Sequence, residues 1–389
     1  MDSLNNIKIL DFTQAMAGPI ATMVLSDLGA DVIKVEPLNG EQSRHWAPPY
    51  INSESAYYLS LNRNKSDICM DLKSSWSIEI IKKLAKNSDI IIENFRPGVA
   101  KKLNIDYETL KKYNDKIIYC SISGFGQTGP DKDKPAYDLI ALARSGLMGI
   151  TGEKNGEPVK FGVPITDITS GLFAAISILS ALYYREKTGR GQYIDLSMLD
   201  VNVFLLVNQF MNYIATGKNP EREGSKHPSI VPYQVFKAMD DYIAIAVGTD
   251  KLWSLLCSAI NRKDLINNEK FDNNENRLKN RDELINIINN ELSKIDVADL
   301  INTLNDYGVP CSKVNRISDV VEDKQINFRD MIRDFNGLKL LNSPIKMSET
   351  PGKIRKLPSK LGEDTYDILK NLGYTDQEIK AFKDNGTVK

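Results

Sequence analysis

The sequence places one carboxylate, Asp167, just ahead of a long and almost uninterrupted apolar segment. Residues 168–184 are apolar on nearly every side of a helix, which predicts a buried helix whose N-terminus packs inside the protein. Free backbone N–H groups and the helix dipole favour an ionised carboxylate at that end. A charged, partly desolvated carboxylate suits a nucleophile for acyl transfer. Because an Asp before a helix is also a common N-cap, position alone leaves both roles open.

Other residues with catalytic chemistry are few. The two histidines, His45 and His227, stand alone in the sequence, so a catalytic triad, a zinc site or a histidine proton shuttle has little to draw on. We expect a surface or structural role for both. The four cysteines are far apart and form no Cys-x-x-Cys pair, which predicts reduced thiols in or near the core and no metal site. They are Cys69, Cys120, Cys257 and Cys311.

Residues 124–129 fit the pattern G-x-G-x-x-G and follow a predicted strand. A dinucleotide site needs a helix directly after these glycines, whereas Pro130 and a polar run follow here. The Walker pattern also fails, because Gly-Pro stands where Gly-Lys is needed. We therefore expect no nicotinamide or flavin site, and we interpret the segment as a loop over a ligand, with a plain surface turn as the alternative.

Residues 93–98 come at the end of an apolar strand that contains residues 90–92, at the edge where open α/β sheets bind ligands. Asn94, Phe95 and Arg96 offer an amide, an aromatic ring and a guanidinium, which suit a phosphorylated molecule that carries a base. A structural turn is the alternative. Nearby basic residues add positive charge, although such side chains are usually just solvated. They are Arg63, Lys65, Lys73, Lys101 and Lys102.

The composition is that of a globular protein. The chain has 389 residues, which predicts two domains or one large domain with an insertion. Hydrophobic residues make up 42% and the formal net charge is −1, so neither nucleic acid nor a membrane surface is an expected partner. Residues 1–6 lack the features of a secretory signal, and no later apolar run is long enough to predict a membrane span. We expect a soluble cytoplasmic protein.

Strand and helix patterns alternate along the first two thirds of the chain, which predicts an α/β fold with a Rossmann-like open parallel sheet. The predicted strands are residues 7–12, 31–36, 68–72, 89–93, 116–123 and 192–197, and the predicted helices are 20–28, 77–86, 168–184 and 198–215. A polar, breaker-rich segment follows, and prolines mark an extended return near residue 344. We predict a large domain of residues 1–215 plus 333–389 and a smaller α+β domain of residues 218–326, joined by extended linkers.

From about Leu4 to the C-terminus, the chain resembles the family III CoA-transferases of the CaiB/BaiF type, a family that also includes a racemase branch. Ordered blocks along the whole chain carry the resemblance. They are residues 10–12 with 17–19, 28–37, 61–65, 93–98, 123–130, 136–138, Asp167 with Gly171, 343–345 and 361–363.

The resemblance implies an interlocked homodimer that binds CoA on its Rossmann-like domain. It also implies that Asp167 attacks an acyl-CoA thioester to form a mixed anhydride and then an aspartyl-CoA thioester, from which an acceptor carboxylate collects the CoA. The chain positions that match the family's CoA contacts, together with Arg96 from the residue argument above, are Met16, Ala17, Met70, Lys73, Asn94, Phe95, Lys102, Tyr137 and Met198. Asn94 and Phe95 should meet the nucleotide end, whereas Tyr137 and Met198 should approach the thioester.

The chain departs from the family pattern at three places. Tyr137 and Asp138 stand where the racemase branch has a His-Asp pair, and tyrosine is a poor base near neutral pH. The glycine-rich loop of formyl-CoA transferase is not matched around residues 248–250, and Pro37 replaces a basic CoA contact. The unmatched loop makes formate and oxalate doubtful substrates, and we expect a CoA-transferase that moves CoA between two carboxylic acids. An acyl-CoA racemase or isomerase and a non-catalytic CoA-binding protein remain the alternatives.

Overall fold

The computed structural model describes residues 1–389, which form two compact units. The larger unit consists of Met1–Met148, Lys160–Lys218 and Ile326–Lys389. The smaller unit consists of Gly149–Val159 and Asn219–Gln325. The segment Gly149–Val159, which the sequence analysis assigned to the large domain, thus packs with the smaller unit.

The chain up to Thr216 supplies most of the larger unit. Its strands are β1 (Lys8–Asp11), β2 (Asp31–Glu36), β3 (Tyr50–Ile51), β4 (Glu54–Ser55), β5 (Lys65–Cys69), β6 (Ile90–Glu93), β7 (Ile118–Ser123) and β8 (Tyr193–Ser197). Its helices are α1 (Ala17–Asp27), α2 (Ala56–Leu59), α3 (Ser75–Lys86), α4 (Val99–Lys102), α5 (Tyr107–Leu110), α6 (Asp138–Arg144), α7 (Ile165–Thr188), α8 (Met198–Phe204) and α9 (Val207–Thr216). The last two replace the single helix predicted over residues 198–215.

The remaining chain contains the smaller unit and the C-terminal part of the larger one. The smaller unit has β9 (Tyr233–Lys237), β10 (Tyr242–Ala246), β11 (Cys311–Lys313), α10 (Asp250–Ala259), α11 (Asn274–Lys279), α12 (Arg281–Leu292), α13 (Val297–Asp306) and α14 (Ile317–Glu322). After it come α15 (Lys324–Phe328), β12 (Ile332–Phe335), β13 (Leu338–Leu341), α16 (Thr365–Asn371) and α17 (Asp376–Asp384).

Six parallel strands form the central sheet in the order β5-β2-β1-β6-β7-β8. This is the strand order of a Rossmann fold, so the predicted α/β class with an open parallel sheet is confirmed. Ile90, Ile91 and Ile92 of β6 are fully buried, because helices cover both faces of the sheet. The strand order reverses between β1 and β6, and open α/β sheets bind their ligands in the crevice at such a point.

Helix α7 packs against α1 on one face of the sheet. Its Gly171 permits a close approach, since a Cβ there would lie 2.5 Å from the Ala17 carbonyl oxygen. Contrary to the sequence expectation, α7 is long and apolar enough to span a membrane by length and composition. That is weak evidence, because core helices of soluble proteins pass the same test. Ala174 and Ile178 are buried in the apolar core, but Ile176 is 56% exposed. The predicted burial on nearly every side is therefore wrong, and α7 is a core helix on one face only.

The smaller unit is an antiparallel sheet of three strands, in the order β11-β10-β9, with its own apolar core. Trp253 and Leu256 of α10 pack in this core with Ile288 of α12.

All four cysteines of the chain are free; Cys311 is half-buried and the others are buried. His227 accepts a hydrogen bond from the Ser229 backbone at Nδ1 (3.0 Å).

Candidate active site

A cleft of about 330 Å³ opens in the larger unit, where the loops after β1, β6 and β7 meet the start of α7. Because these strands are parallel, their carboxyl ends lie at one edge of the sheet and bring distant parts of the sequence together. The cleft contains seven of the predicted site residues. They are Ala17, Asn94, Phe95, Arg96, Tyr137, Asp167 and Met198.

Four predicted CoA contacts do not line this cleft. Met16 is buried at the start of α1, where the Tyr57 hydroxyl lies 3.8 Å from its sulfur. Met70 is fully buried in the core of the larger unit. Lys73 and Lys102 are exposed outside the cleft. Contact of these four with CoA therefore remains a prediction from the family resemblance.

Asp167 lies inside the first turn of α7 rather than ahead of it, because the helix already begins at Ile165. The cap comes from a different residue: Asp138 Oδ1 accepts hydrogen bonds from the backbone N–H groups of Thr166 (2.8 Å) and Asp167 (3.3 Å). The N-cap role considered for Asp167 is therefore wrong. Since Asp138 satisfies the helix end, the Asp167 carboxylate is left to face the cleft.

The electrostatics of Asp167 also differ from the sequence expectation. Burial, with a smaller contribution from the negative charge of Asp138, raises the pKa of Asp167 to about 7. We had expected the helix end to keep this group ionised, but desolvation outweighs the dipole. Burial and the charges of Asp167 and Asp138 likewise raise the pKa of Tyr57 to about 12. Asp167 is thus about half ionised near neutral pH and is more basic than an exposed aspartate.

The substitution Asp138→Asn tests this electrostatic coupling. The Asn carbonyl can still accept the helix N–H bonds, but the negative charge is gone, so the pKa of Asp167 should fall. We expect the acidic limb of the pH dependence of kcat/KM for CoA transfer to move to lower pH, by about half a unit or more. Asp367→Asn, which removes the same charge from the exposed first turn of α16, is the control. An unshifted acidic limb in Asp138→Asn would contradict the coupling.

Asn94 joins the two loops that flank the point of strand-order reversal. Its Oδ1 accepts a hydrogen bond from the Gln14 backbone N–H (2.9 Å), and its Nδ2 donates to the Gln14 carbonyl (2.8 Å). Both polar groups of the amide are therefore in use within the protein. Asn94 lines the cleft as predicted, but its amide holds the wall of the cleft instead of standing free for a ligand.

Two buried charged residues, Lys34 and Glu41, bind the backbone of the loop that follows β1. Ala15 has a positive φ of 65°, which is unusual for a residue with a side chain, and its N–H donates to Glu41 Oε2 (3.0 Å). Lys34 Nζ donates to the Thr13 carbonyl (2.8 Å) and lies 3.9 Å from Glu41 Oε1. Because Lys34 and Glu41 are both fully buried, this ion pair fixes the strained turn that lines the cleft.

Two basic residues that we expected to add positive charge near residues 93–98, or to be solvated, are instead buried in ion pairs. Arg63 binds both carboxylate oxygens of Asp27 (2.9 and 2.6 Å), and Lys65 Nζ lies 3.4 Å from Asp11 Oδ2. The positive charge at the cleft comes from Arg96 and from Lys134, which the sequence analysis did not single out. Lys134 follows the glycine-rich loop, and it also pairs with Asp131 (2.6 Å).

The glycine-rich segment forms a loop, and no helix begins after it until Asp138. Gly124 lines the cleft, and a Cβ there would lie 2.1 Å from the Ala136 Cβ, so only glycine fits this close approach. Trp46, Gln42 and Gln14 also line the cleft and were missed. No group of three or more His, Cys, Asp or Glu side chains is arranged to hold a metal ion.

A Rossmann-like sheet with a desolvated carboxylate in the cleft at its carboxyl edge is typical of an α/β enzyme, and comparison with known proteins identifies the family. The model of CoA-transferase family III matches residues 4–365. The chain therefore belongs to CoA-transferase family III, and the protein is a CoA-transferase.

Individual relatives and solved structures agree. The chain is 38% identical to succinyl-CoA:glutarate CoA-transferase of Mus musculus, over 100% of this chain and 91% of the relative. It is 36% identical to succinyl-CoA:mesaconate CoA-transferase of Haloarcula hispanica, over 90% of this chain and 91% of the relative. The crystal structure of a CaiB/BaiF family protein from Brucella suis has a TM-score of 0.88 and 38% identity, and the match covers 95% of this chain and 99% of that one.

Proposed function

We propose that the protein moves CoA from an acyl-CoA to a second carboxylic acid and that Asp167 is the covalent nucleophile. The observation that carries this proposal is the Asp167 carboxylate, which faces the cleft while Asp138 caps the helix in its place. Its pKa of about 7 gives a carboxylate that is both ionised in part at neutral pH and unusually basic. A protein that only binds CoA gains nothing from burying such a group without a cationic partner.

In the proposed reaction, an Asp167 oxygen attacks the thioester carbonyl, the C–S bond breaks, and CoA leaves as a thiolate. The thiolate then attacks the Asp167 carbonyl of the resulting mixed anhydride and releases the donor acid, which leaves an aspartyl-CoA thioester. The acceptor carboxylate attacks this thioester and expels CoA thiolate again. Attack of the thiolate on the acceptor's acyl carbon forms the new acyl-CoA and returns Asp167 as a carboxylate.

We propose dicarboxylic acids of the size of succinate and glutarate, which are longer than oxalate, as donors and acceptors. The relatives described above are named for succinyl-CoA with glutarate or mesaconate. In this chain, Arg96 and Lys134 supply positive charge on the wall of the same cleft as Asp167. A guanidinium or ammonium can pair with the second carboxylate of such an acid or with the phosphates of CoA. Tyr137 in place of histidine gives no support to racemisation.

Intact mass spectrometry tests the nucleophile. Wild type and Asp167→Ala are incubated with succinyl-CoA, glutaryl-CoA and acetyl-CoA, with and without hydroxylamine, which traps activated carboxylates. A CoA-sized or hydroxamate adduct mapped to Asp167, and absent from the variant, is the expected result. If acyl-CoAs bind but no adduct forms, Asp167 is not the nucleophile. Deuterium exchange at the α-carbon in that case would favour the racemase alternative.

We also propose that the active protein is a homodimer, interlocked as the family resemblance implies. Helices α8 and α9 carry large apolar side chains that are about half exposed or more in the single chain. They are Val203, Phe204, Val207, Phe210, Met211 and Ile214. Such a large apolar surface is typical of an interface. Light scattering on the purified protein should give twice the chain mass of 43.7 kDa, and a mass of 43.7 kDa would overturn the dimer.

A further inference from the structure

Glu93 is a buried carboxylate that the proposed reaction does not use. It is the last residue of β6 and only 3% of its surface is exposed. No lysine or arginine pairs with it, in contrast to the buried carboxylates of Asp11, Asp27 and Glu41. Burial of an ionisable group without a counter-charge costs free energy. We therefore ask which function the buried Glu93 carboxylate and its hydrogen bonds serve.

Both carboxylate oxygens of Glu93 accept hydrogen bonds. Oε2 accepts from the Phe95 backbone N–H at 2.7 Å, and Oε1 accepts from the Ser121 hydroxyl on β7 at 2.5 Å. The first bond turns the side chain back onto the loop that directly follows β6. Residues 94–97 of that loop all line the cleft that contains Asp167. Glu93 does not line this cleft, but it binds the backbone of the loop that forms one of its walls.

No positive charge is buried beside Glu93. It lines a separate cavity of about 260 Å³ together with Ser121 and the rings of three tyrosines. The charged and titratable groups that face it or share this cavity are Tyr119 and Cys120 on β7, Tyr193 and Asp195 on β8, and Lys101, Asp106, Tyr107 and Glu108 on α4, α5 and the turn between them. Only Lys101 is basic, and its side chain is exposed.

Burial, with a smaller contribution from the charge of Asp195, raises the pKa of Glu93 to about 7. The carboxylate is therefore ionised above neutral pH and protonated below it. A hydrogen bond from the Phe95 N–H to an ionised oxygen is stronger than one to a neutral carboxylic acid. The loop is thus held more firmly as the pH rises through neutrality.

We propose that Glu93 is a positioning residue whose ionised carboxylate, through the Phe95 backbone, holds residues 94–97 in the conformation that binds the nucleotide half of CoA. The inference rests on the proposed binding of acyl-CoA in this cleft, but not on the proposed role of Asp167 as nucleophile. Glu93 itself touches neither the substrate nor the reacting atoms.

Calorimetric titration with CoA tests the inference on the full-length chain. Asp167→Ala serves as the parent, because no covalent chemistry can then occur. We expect the parent to bind CoA more tightly at about pH 8 than at about pH 6. After the change that Glu93→Gln shows over the same range is subtracted, the remaining gain in affinity should be about three- to ten-fold. Glu93→Gln keeps an acceptor for Phe95 without a titrating charge, so it should bind at both pH values as the parent does at the lower one.

Glu93→Ala removes both acceptors, and its CoA affinity at about pH 8 should fall about ten-fold or more. Glu108→Gln is the matched control, because it makes the same substitution in the same cavity on an exposed residue. It should bind CoA as the parent does. Circular dichroism establishes that each variant is folded, and Glu93→Gln remains informative if Glu93→Ala does not fold.

Two results would overturn the positioning role: Glu93→Gln with the same pH dependence of CoA affinity as the parent, or folded Glu93→Ala with the parent's affinity. If the parent fails to bind CoA at either pH, both the inference and the proposed ligand fall. Normal CoA binding combined with no adduct on wild-type Asp167 would overturn the proposed nucleophile alone.

Discussion

Asp167→Ala is expected to lower kcat/KM for CoA transfer by about 10⁴-fold or more, because loss of a covalent nucleophile leaves only the catalysis that binding and orientation provide. Asp167 lines the cleft, and Asp138 rather than Asp167 caps α7, so the substitution removes no helix cap. Steady-state kinetics with succinyl-CoA and glutarate give the number. Asp367→Ala, in the first turn of α16 and exposed, is the control and should keep full activity.

The stability of Asp167→Ala provides a second measurement of the same prediction. The pKa of Asp167 is raised from 3.8 to about 7 in the folded state. Between these values the folded chain binds more protons than the unfolded chain, so the free energy of unfolding falls as the pH rises. Removal of the group should therefore stabilise the protein by about 4 kcal/mol at about pH 8 and by less than about 1 kcal/mol at about pH 4.

Two outcomes would contradict this account of Asp167. Residual activity within about ten-fold of wild type would mean that another group attacks the thioester. A variant that is less stable than wild type at about pH 8 would mean that Asp167 makes favourable contacts in the folded protein.

Asp11→Ala is expected to reduce the free energy of unfolding by about 3–5 kcal/mol, since it removes one partner from a buried ion pair. Asp11 is fully buried and accepts hydrogen bonds from Thr13 N (2.8 Å), Thr13 Oγ1 (2.5 Å) and Thr22 Oγ1 (2.6 Å). Lys65 is also buried, and without Asp11 its ammonium keeps only the Pro19 carbonyl (3.1 Å) and Asn62 Oδ1 (2.9 Å). Urea denaturation followed by circular dichroism measures the loss.

Asp106→Ala is the matched control for Asp11→Ala. Asp106 makes the same kind of bonds, to the backbone N–H and hydroxyl of Thr109, but at a half-buried helix N-cap without a buried lysine. Its loss should cost about 1 kcal/mol. The double variant Asp11→Ala/Lys65→Met should recover part of the stability lost in Asp11→Ala. Equal losses in Asp11→Ala and Asp106→Ala would contradict the importance of the buried pair.

Much of the fold follows from local patterns in the sequence. The alternation of strand and helix signals predicted the parallel sheet, and β2 was predicted with its observed bounds at Asp31–Glu36. The cleft residues that follow β6 were predicted for the same reason, since the ends of parallel strands share one edge of the sheet. Asp167 was singled out because a partly desolvated carboxylate at the N-terminus of a long apolar helix suits a nucleophile for acyl transfer.

The remainder depends on contacts between residues that are far apart in the sequence. Asp138 caps α7 from 28 residues upstream, so the helix start at Ile165 could not be placed by local signals. Arg63 and Lys65 were expected near the surface, because basic side chains are usually solvated. Their partners, Asp27 and Asp11, lie 36 and 54 residues away. Only the folded chain shows that these carboxylates neutralise the two buried positive charges.

The C-terminal segment completes a core that the N-terminal segments begin. Leu369 and Phe382 pack with Ile68 and Ile80 in one apolar cluster, and the Asp71 N–H donates to the Thr387 carbonyl (2.9 Å). On the ribosome, residues 1–218 therefore emerge with part of this surface uncovered. At about 5–20 residues per second, synthesis of the remaining chain takes about 10–30 s. The N-terminal part of the large unit must therefore keep this apolar surface out of wrong contacts until the C-terminal helices cover it.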